Sequence, residues 1–208
     1  MEIYNTEEQQ VEAIKKFWKD NGMAIVVGAV LGLGGLWGWR YYNETKFAGQ
    51  EQASAQYEQA ISSLEAGNDL SKVSEFIQTH SDNSYAVLAA LQAAQKAVDA
   101  DNLTEAADKL RWAAEHAEVD AVAAVANLRL ARIQIQQAEY DNALSTLDKV
   151  SGDAFVAQVQ EFKGDVYRLQ GHVDKARAAY SAALEKNSGN NLLKMKLDNL
   201  SAAATAGA

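Results

Sequence analysis

Residues 164–183 read GDVYRLQGHVDKARAAYSAA, two segments of helical composition around the polar turn Gln170-Gly171-His172. Each segment carries a small residue, Gly164 and Ala176, and the two are twelve positions apart. Tyr180 follows Ala176 at the i+4 position, so both side chains lie on one face of the second helix. Small residues let two helices approach closely, and large neighbours fill the space beside the contact. The stretch therefore predicts a helical hairpin.

The same pattern occurs twice more upstream. The second small residue recurs at Ala106, Ala143 and Ala176, separations of 37 and 33 residues, and the first recurs at Ala94, Ala131 and Gly164. A period near 34 residues with these small and large positions is typical of the tetratricopeptide repeat. We expect about three such repeats in a domain over residues 84–201. Its last helix, 190–201, would cap the apolar end of the array, as a solenoid requires.

The composition supports an all-α protein. Apolar residues make up 48% of the 208, many of them alanine, and there is no proline. Alanine favours helices, and loop-rich or β-rich chains use proline in their turns. Upstream of the repeats, residues 43–83 read as two less regular membrane-proximal helices, 44–65 and 70–79, with breaks at Gly67-Asn68 and Ser81-Asp82-Asn83. Residues 202–208 read as a disordered tail.

Residues 23–39 read MAIVVGAVLGLGGLWGW, without a charged side chain. With the aromatic flank to residue 42, the segment is long enough for a hydrocarbon core of about 30 Å. A buried core helix would keep a polar face, and a cleaved signal peptide would have a small-residue cleavage site, which WGWRYY does not offer. We therefore predict one transmembrane helix over 23–42. Ala24, Gly28 and Gly32, with Gly34 and Gly38, form small-residue stripes on which another helix could pack.

The charges beside this segment favour one orientation. Lys15, Lys16 and Lys19 precede it, against Arg40 and Lys46 after it, which by the positive-inside rule places residues 1–22 in the cytoplasm. The fold class is then all-α: a single transmembrane helix followed by a tetratricopeptide-like α-solenoid of paired antiparallel helices outside the cytoplasm.

Residues 6–19 of the cytoplasmic head have the pattern of a short amphipathic helix. Thr6 and Gln9 would cap its start, and Asp20-Asn21-Gly22 would end it. This helix could lie on the membrane surface, or it could dock a cytoplasmic partner.

The chain lacks the signals of an enzyme. Its net charge of −9 argues against a nucleic-acid partner, and the absence of cysteine excludes thiolate metal sites. The three histidines, His80, His116 and His172, have no second histidine at zinc-ligand spacing. No phosphate-binding or nucleophile motif is present. We therefore expect no catalytic residues, no metal and no cofactor.

Tetratricopeptide arrays bind partners on a concave surface formed by the first helix of each repeat. By register, Arg132 and Gln136 of the second repeat should face this groove, as should Glu161, Asp165 and Arg168 of the third. Some arrays bind a free carboxyl terminus through Lys and Asn residues at defined groove positions. This chain has other residues at those positions, so recognition of a carboxyl terminus is not expected.

The chain resembles the YfgM-type ancillary subunits of the bacterial SecYEG translocon. The matching residues are Glu2-Ile3-Tyr4, Gln10-Val11-Glu12-Ala13 with Lys15 and Phe17, Asn21-Gly22, Gly38-Trp39-Arg40-Tyr41 and Asn127-Leu128-Arg129-Leu130-Ala131-Arg132. The resemblance implies an inner-membrane protein that pairs with SecYEG and the periplasmic chaperone PpiD, and passes emerging secreted polypeptides to periplasmic chaperones. It also implies a cytoplasmic head that restrains an envelope-stress response regulator. Alternatives are a scaffold for another envelope assembly, or a signalling protein that acts through the head.

Overall fold

The computed structural model describes residues 7–67 and 70–206. All regular structure in these two ranges is helical. The helices are α1 (Glu7–Gly67), α2 (Leu70–Thr79), α3 (Ser84–Asp99), α4 (Leu103–His116), α5 (Asp120–Gln136), α6 (Tyr140–Asp148), α7 (Val156–Leu169), α8 (Val173–Lys186) and α9 (Asn191–Ala206), with a 3-10 turn at Asp153–Phe155 before α7. The all-α prediction is confirmed.

The chain forms two compact units, residues 1–52 and residues 53–208. In the first unit, α1 continues without a break through Asp20-Asn21-Gly22. The prediction that these residues end a helix is therefore wrong. Asn21 instead donates its side-chain amide to the Phe17 carbonyl at 3.2 Å, and Gly22 lies against the Trp18 ring. A single glycine costs about 1 kcal/mol in a helix, which long helical flanks can offset. The predicted cap at Thr6 lies outside the described residues.

The boundary predicted between the transmembrane helix and a separate helix 44–65 is also absent, since α1 continues to Gly67. Among the described residues, Gln10–Gly67 is the one segment long and apolar enough to cross a membrane, with a mean hydropathy of 1.7 over its most apolar window. Within residues 23–42 of this segment the large apolar side chains are exposed; Leu31, for example, is 71% exposed. A water-soluble core helix would bury such side chains.

The second unit contains the predicted helical hairpins. The pairs α3/α4, α5/α6 and α7/α8 each pack together, and each successive pair contacts the next. All six small residues of the pattern are buried at these contacts. The tightest contact is at Gly164, where an added Cβ would lie 2.4 Å from ring atoms of Tyr180. The repeat prediction is therefore confirmed, and the reason is the close approach of paired helices.

The structure adds a further repeat before the three predicted from sequence. Residues 53–67 of α1 pack with α2, and their core residues join those of α3 in one apolar cluster. Two hydrogen bonds each link residues 35 positions apart: Gln92 to the Tyr57 hydroxyl at 2.7 Å, and Lys109 to the Ser74 hydroxyl at 2.8 Å. That separation is close to the repeat period. The C-terminal end of α1 and α2 thus form a degenerate first hairpin.

The turns within the three predicted repeats share one backbone conformation. Each has a residue at positive φ, namely Asp101 at 58°, Ala138 at 59° and Gly171 at 79°. In each turn, the next residue donates its backbone N–H at 2.8 Å to the carbonyl five residues earlier. This is the Schellman helix ending, which satisfies carbonyl groups at the end of the first helix.

The array ends in α9, which buries Leu193 and Leu200 against the Tyr180 side of α8. This is the capping helix predicted over 190–201, but it continues to Ala206 where the sequence predicts a disordered tail. Alanine, which dominates residues 202–206, has the highest helix propensity of all residues. Residues 207 and 208 lie outside the described part.

Candidate binding site

The first helices of the repeats, α3, α5 and α7, form one face with two adjacent apolar clefts. The first cleft, of about 330 Å³, lies between α3, α4 and α5. Its floor consists of Ala94, Leu110 and Ile133, which are nearly fully buried. Its rim is formed by Leu91, Gln95, Val98, Arg129, Arg132 and Gln136.

The second cleft, of about 200 Å³, lies between α5, the 3-10 turn and α7. Phe155 and Phe162 form one wall, and Leu128 of α5 forms part of the other. Both arginines of the first cleft, Arg129 and Arg132, line this cleft as well. The Arg132 guanidinium lies 5.7 Å from the centre of the Phe162 ring, which is a favourable cation–π distance. The two clefts are therefore joined by a pair of arginines.

The acidic residues predicted for the groove have a different environment. Glu161 and Asp165 both accept a hydrogen bond from the Lys196 ammonium of α9, each at 2.8 Å. The other Asp165 oxygen accepts a hydrogen bond from the Tyr180 hydroxyl at 2.7 Å. These groups are only partly exposed, so the ion pairs are shielded from solvent more than surface pairs are. Arg168, on the same helix, is exposed.

Tyr180 is the centre of this polar cluster. Its ring is fully buried, and burial raises the pKa of its hydroxyl well above that of an ordinary tyrosine. The hydrogen bond to Asp165 raises this pKa further, because it stabilises the neutral, donating hydroxyl. The cluster thus fixes α9 on α7 and α8 through a neutral tyrosine and an ammonium shared by two carboxylates.

A polar cleft of about 280 Å³ lies on the other side of α5, between α4 and α6. It contains the three buried polar residues of the described chain, Asn127, Gln134 and Thr146. The side-chain oxygen of Gln134 is buried there without a hydrogen-bond partner in the described structure. A buried polar atom without a partner costs free energy, so this side chain is an unfavourable feature of the second repeat.

The five groove residues predicted from sequence thus form two groups. Arg132 and Gln136 line the first cleft together, whereas Glu161 and Asp165 are bound by α9. Sequence reasoning missed Arg129, although it lies three residues before Arg132 on the same helix face. It also missed Lys196, whose 35-residue and 31-residue separations from its partners follow from α9 taking the place of a further first helix.

The small residues proposed for packing in the membrane lie along the open surface of α1. A Cβ added at Gly28, Gly32, Gly34 or Gly38 meets no atom within 4 Å, and Ala24 is exposed.

The three histidines lie at helix ends. His116, for example, stacks on Trp112 at 4.1 Å between ring centres, and its Nδ1 lies 2.9 Å from the Trp112 carbonyl oxygen. In the described part of the chain, no three His, Asp or Glu side chains cluster in a way that could hold a metal ion.

Comparison with known proteins agrees with this architecture. The family described as tetratricopeptide repeat-like domain matches residues 15–202. The ancillary SecYEG translocon subunit of Escherichia coli K12 is 37% identical over 97% of this chain and 100% of its own length. The subunit of the same name from Haemophilus influenzae is 36% identical over 93% of this chain and 97% of its own. The one from Neisseria gonorrhoeae is 30% identical over 96% and 100%. The chain therefore belongs to the tetratricopeptide repeat-like family of ancillary SecYEG translocon subunits.

Proposed function

We propose that this chain is a membrane-anchored, non-catalytic binding module of the SecYEG translocon in the bacterial inner membrane. The observation that carries the proposal is similarity over the whole length to ancillary translocon subunits, including the apolar segment of α1. Residues 23–42 would span the bilayer, with residues 1–22 in the cytoplasm and the repeat domain in the periplasm. Protease treatment of intact spheroplasts should digest the repeat domain; protection of that domain until lysis would refute this orientation.

The groove of α3, α5 and α7 would bind polypeptides as they emerge from the translocon and pass them to periplasmic chaperones. Apolar clefts with a few polar groups at the rim suit extended, unfolded segments, which expose apolar side chains. Anchoring raises the local concentration of the groove at the membrane, so modest affinity suffices. The membrane-bound chaperone PpiD would be a second partner, beside SecYEG itself.

Site-specific crosslinking in intact membranes tests this function. A photoreactive amino acid at Gln136, on the rim of the first cleft, should yield adducts with secreted nascent chains, SecYEG subunits or PpiD. The same probe at Arg177, which is on α8 and paired with Asp174, is the matched control and should yield few of these adducts. Equal recovery from both positions, or none from Gln136, would contradict a binding role for the groove.

The cytoplasmic head favours a second, regulatory function. In the part of α1 before the proposed span, Ile14, Phe17 and Trp18 are all more than half exposed. Such an apolar strip could bind a cytoplasmic response regulator. Deletion of residues 1–20 should then abolish regulator binding and leave groove crosslinks intact; loss of the groove crosslinks with the head would instead assign docking at the translocon to the head.

A further inference from the structure

Arg129 and Arg132 differ from the other arginines of the chain. Arg40, Arg111 and Arg177 form ion pairs with carboxylates one helical turn away, and Arg168 interacts with the Tyr180 hydroxyl. In the described structure, neither Arg129 nor Arg132 is in an ion pair. The protein carries a net charge of −9, so acidic partners for two exposed guanidinium groups would be easy to provide. Because neither guanidinium has an acidic partner in the described structure, both are available to a ligand.

The position of this arginine pair defines the ligand that would fit. Both residues lie on the exposed face of α5, and both line the two apolar clefts on either side of that helix. A polypeptide that crosses α5 would place apolar side chains in the clefts and the intervening residue over the guanidinium groups. An acidic residue there would form charge-assisted hydrogen bonds with them.

The spacing of the clefts suits an extended chain. Packed helices are about 8–10 Å apart, so clefts on the two sides of α5 are separated by roughly that distance. An extended chain advances about 3.3 Å per residue, so side chains about three positions apart would reach both clefts. The one or two residues between them would cross the arginine pair.

The acidic side chains of α7 give a second argument, which concerns basic segments. These side chains, Glu161 and Asp165, already bind Lys196 of α9. A basic residue of a ligand would have to displace this ammonium, while an acidic residue finds the arginine pair open.

We propose that the groove of α3, α5 and α7 selects extended polypeptide segments in which two large apolar side chains, about three positions apart, flank an acidic residue. This selectivity rests on the proposed function and specifies the segments that the groove binds.

The test uses the full chain in phosphatidylcholine nanodiscs and three fluorescein-labelled peptides. The first is Ser-Gly-Leu-Glu-Glu-Leu-Gly-Ser; the second has Lys-Lys in place of Glu-Glu, and the third has Ser in place of both Leu. The first peptide should bind about tenfold more tightly than either of the others, and its affinity should fall as salt increases. Empty nanodiscs correct for binding to lipid.

Variants assign the selectivity to the arginine pair. The double variant Arg129→Gln, Arg132→Gln should bind the acidic peptide about tenfold more weakly, and Arg129→Glu, Arg132→Glu should prefer the Lys-Lys peptide. The matched double variant Arg111→Gln, Arg177→Gln removes the same charge from α4 and α8 and should leave the affinities unchanged. Circular dichroism at 222 nm checks that each variant is folded.

Two results would overturn the inference. One is equal affinity for the acidic and basic peptides; the other is no binding of any peptide. If crosslinks from Gln136 to nascent chains persist in either case, the proposed function stands without this selectivity. If those crosslinks are also absent, the proposed function fails as well.

Discussion

At the scale of single residues, the contact between Gly164 and Tyr180 should be the least tolerant position of the third repeat. A methyl group at Gly164 would lie 2.4 Å from two ring carbons of a fully buried tyrosine, so the ring or the helices must move. We expect Gly164→Ala to lower the free energy of unfolding by about 3 kcal/mol, as overpacked cores do. Urea denaturation of the full chain in nanodiscs, followed by circular dichroism, measures this.

The matched control is Gly189→Ala, since a methyl group there meets no atom within 4 Å. An equal loss of stability in both variants would show that alanine disfavours these positions for reasons other than the Tyr180 contact.

Tyr180 also predicts a dependence of stability on pH. Burial raises its pKa in the folded state, so the unfolded chain loses this proton first, near pH 10, the ordinary tyrosine value. The stability due to neutral Tyr180 is complete below pH 10 and is lost as the pH rises further. Tyr180→Phe should be less stable than the natural chain by about 1–2 kcal/mol at pH 8, because it lacks the hydrogen bond to Asp165.

The difference between the two proteins should shrink as the pH rises from 9 to 11, measured by urea midpoints. Tyr57, whose pKa burial also raises, titrates in both proteins and does not affect the comparison. A constant difference across this range would mean that Tyr180 does not titrate differently in the folded and unfolded states.

Helical periodicity predicts which side chains share one face of a helix, while their role in binding a partner stays a prediction. Arg132 and Gln136 were predicted to face the groove, and both line the first cleft. The same periodicity put Glu161 and Asp165 on that surface, but it could not show that Lys196 covers them. That contact depends on how α9 packs, which no local pattern encodes.

At the scale of elements, the positive φ of the Schellman turns leads to two opposite predictions for stability. Alanine at positive φ costs about 1–2 kcal/mol relative to its right-handed conformation, and glycine adopts this conformation freely. Gly171→Ala should therefore lower stability by about 1 kcal/mol. The reverse exchange, Ala138→Gly, should raise it by about 0.5–1 kcal/mol, because Ala138 has a φ of 59°.

Urea midpoints of the two variants test this pair. A gain from Gly171→Ala, or a loss from Ala138→Gly, would show that φ at these turns does not limit stability. Of the three turns, only that of the third repeat has the glycine that this conformation prefers.

Helix ends were harder to predict than helix positions. Asp20-Asn21-Gly22 carries residues that often end helices, yet α1 runs through them, because the flanking segments are strongly helical and Asn21 bonds back to Phe17. In contrast, Asn83 and Asn102 do begin helices, and each accepts a hydrogen bond from a backbone N–H of the first turn. Asparagine thus occurs both inside α1 and at the starts of α3 and α4. The flanking residues decide whether a helix continues or begins there.

At the scale of the whole molecule, the repeat period was the most informative signal, and its limits are clear. It identified three hairpins and the cap but missed the hairpin of residues 53–79. There Ala60 is buried, but the position twelve residues later is Lys72 rather than a small residue. The adjacent Val73 is fully buried and joins Ala60 in one apolar cluster. The array therefore extends to this hairpin through burial of apolar side chains, although the residue pattern of the other repeats is not kept.

The proposed membrane anchor gives the last prediction. The apolar side chains of Val27 and Leu31 are 49% and 71% exposed, which only an apolar surrounding would favour. An aspartate near the centre of a membrane helix costs about 2.5–3.5 kcal/mol, so the double variant Val27→Asp, Leu31→Asp should lose about 5–7 kcal/mol of insertion free energy. Most of this variant should then be extracted from cell membranes by alkaline carbonate, whereas the natural chain should remain in the pellet. The control Val119→Asp changes an apolar residue of the repeat domain that is 58% exposed, and this variant should stay with the membrane. Retention of the double variant in the pellet would mean that the segment at 23–42 is not what holds the chain in the bilayer.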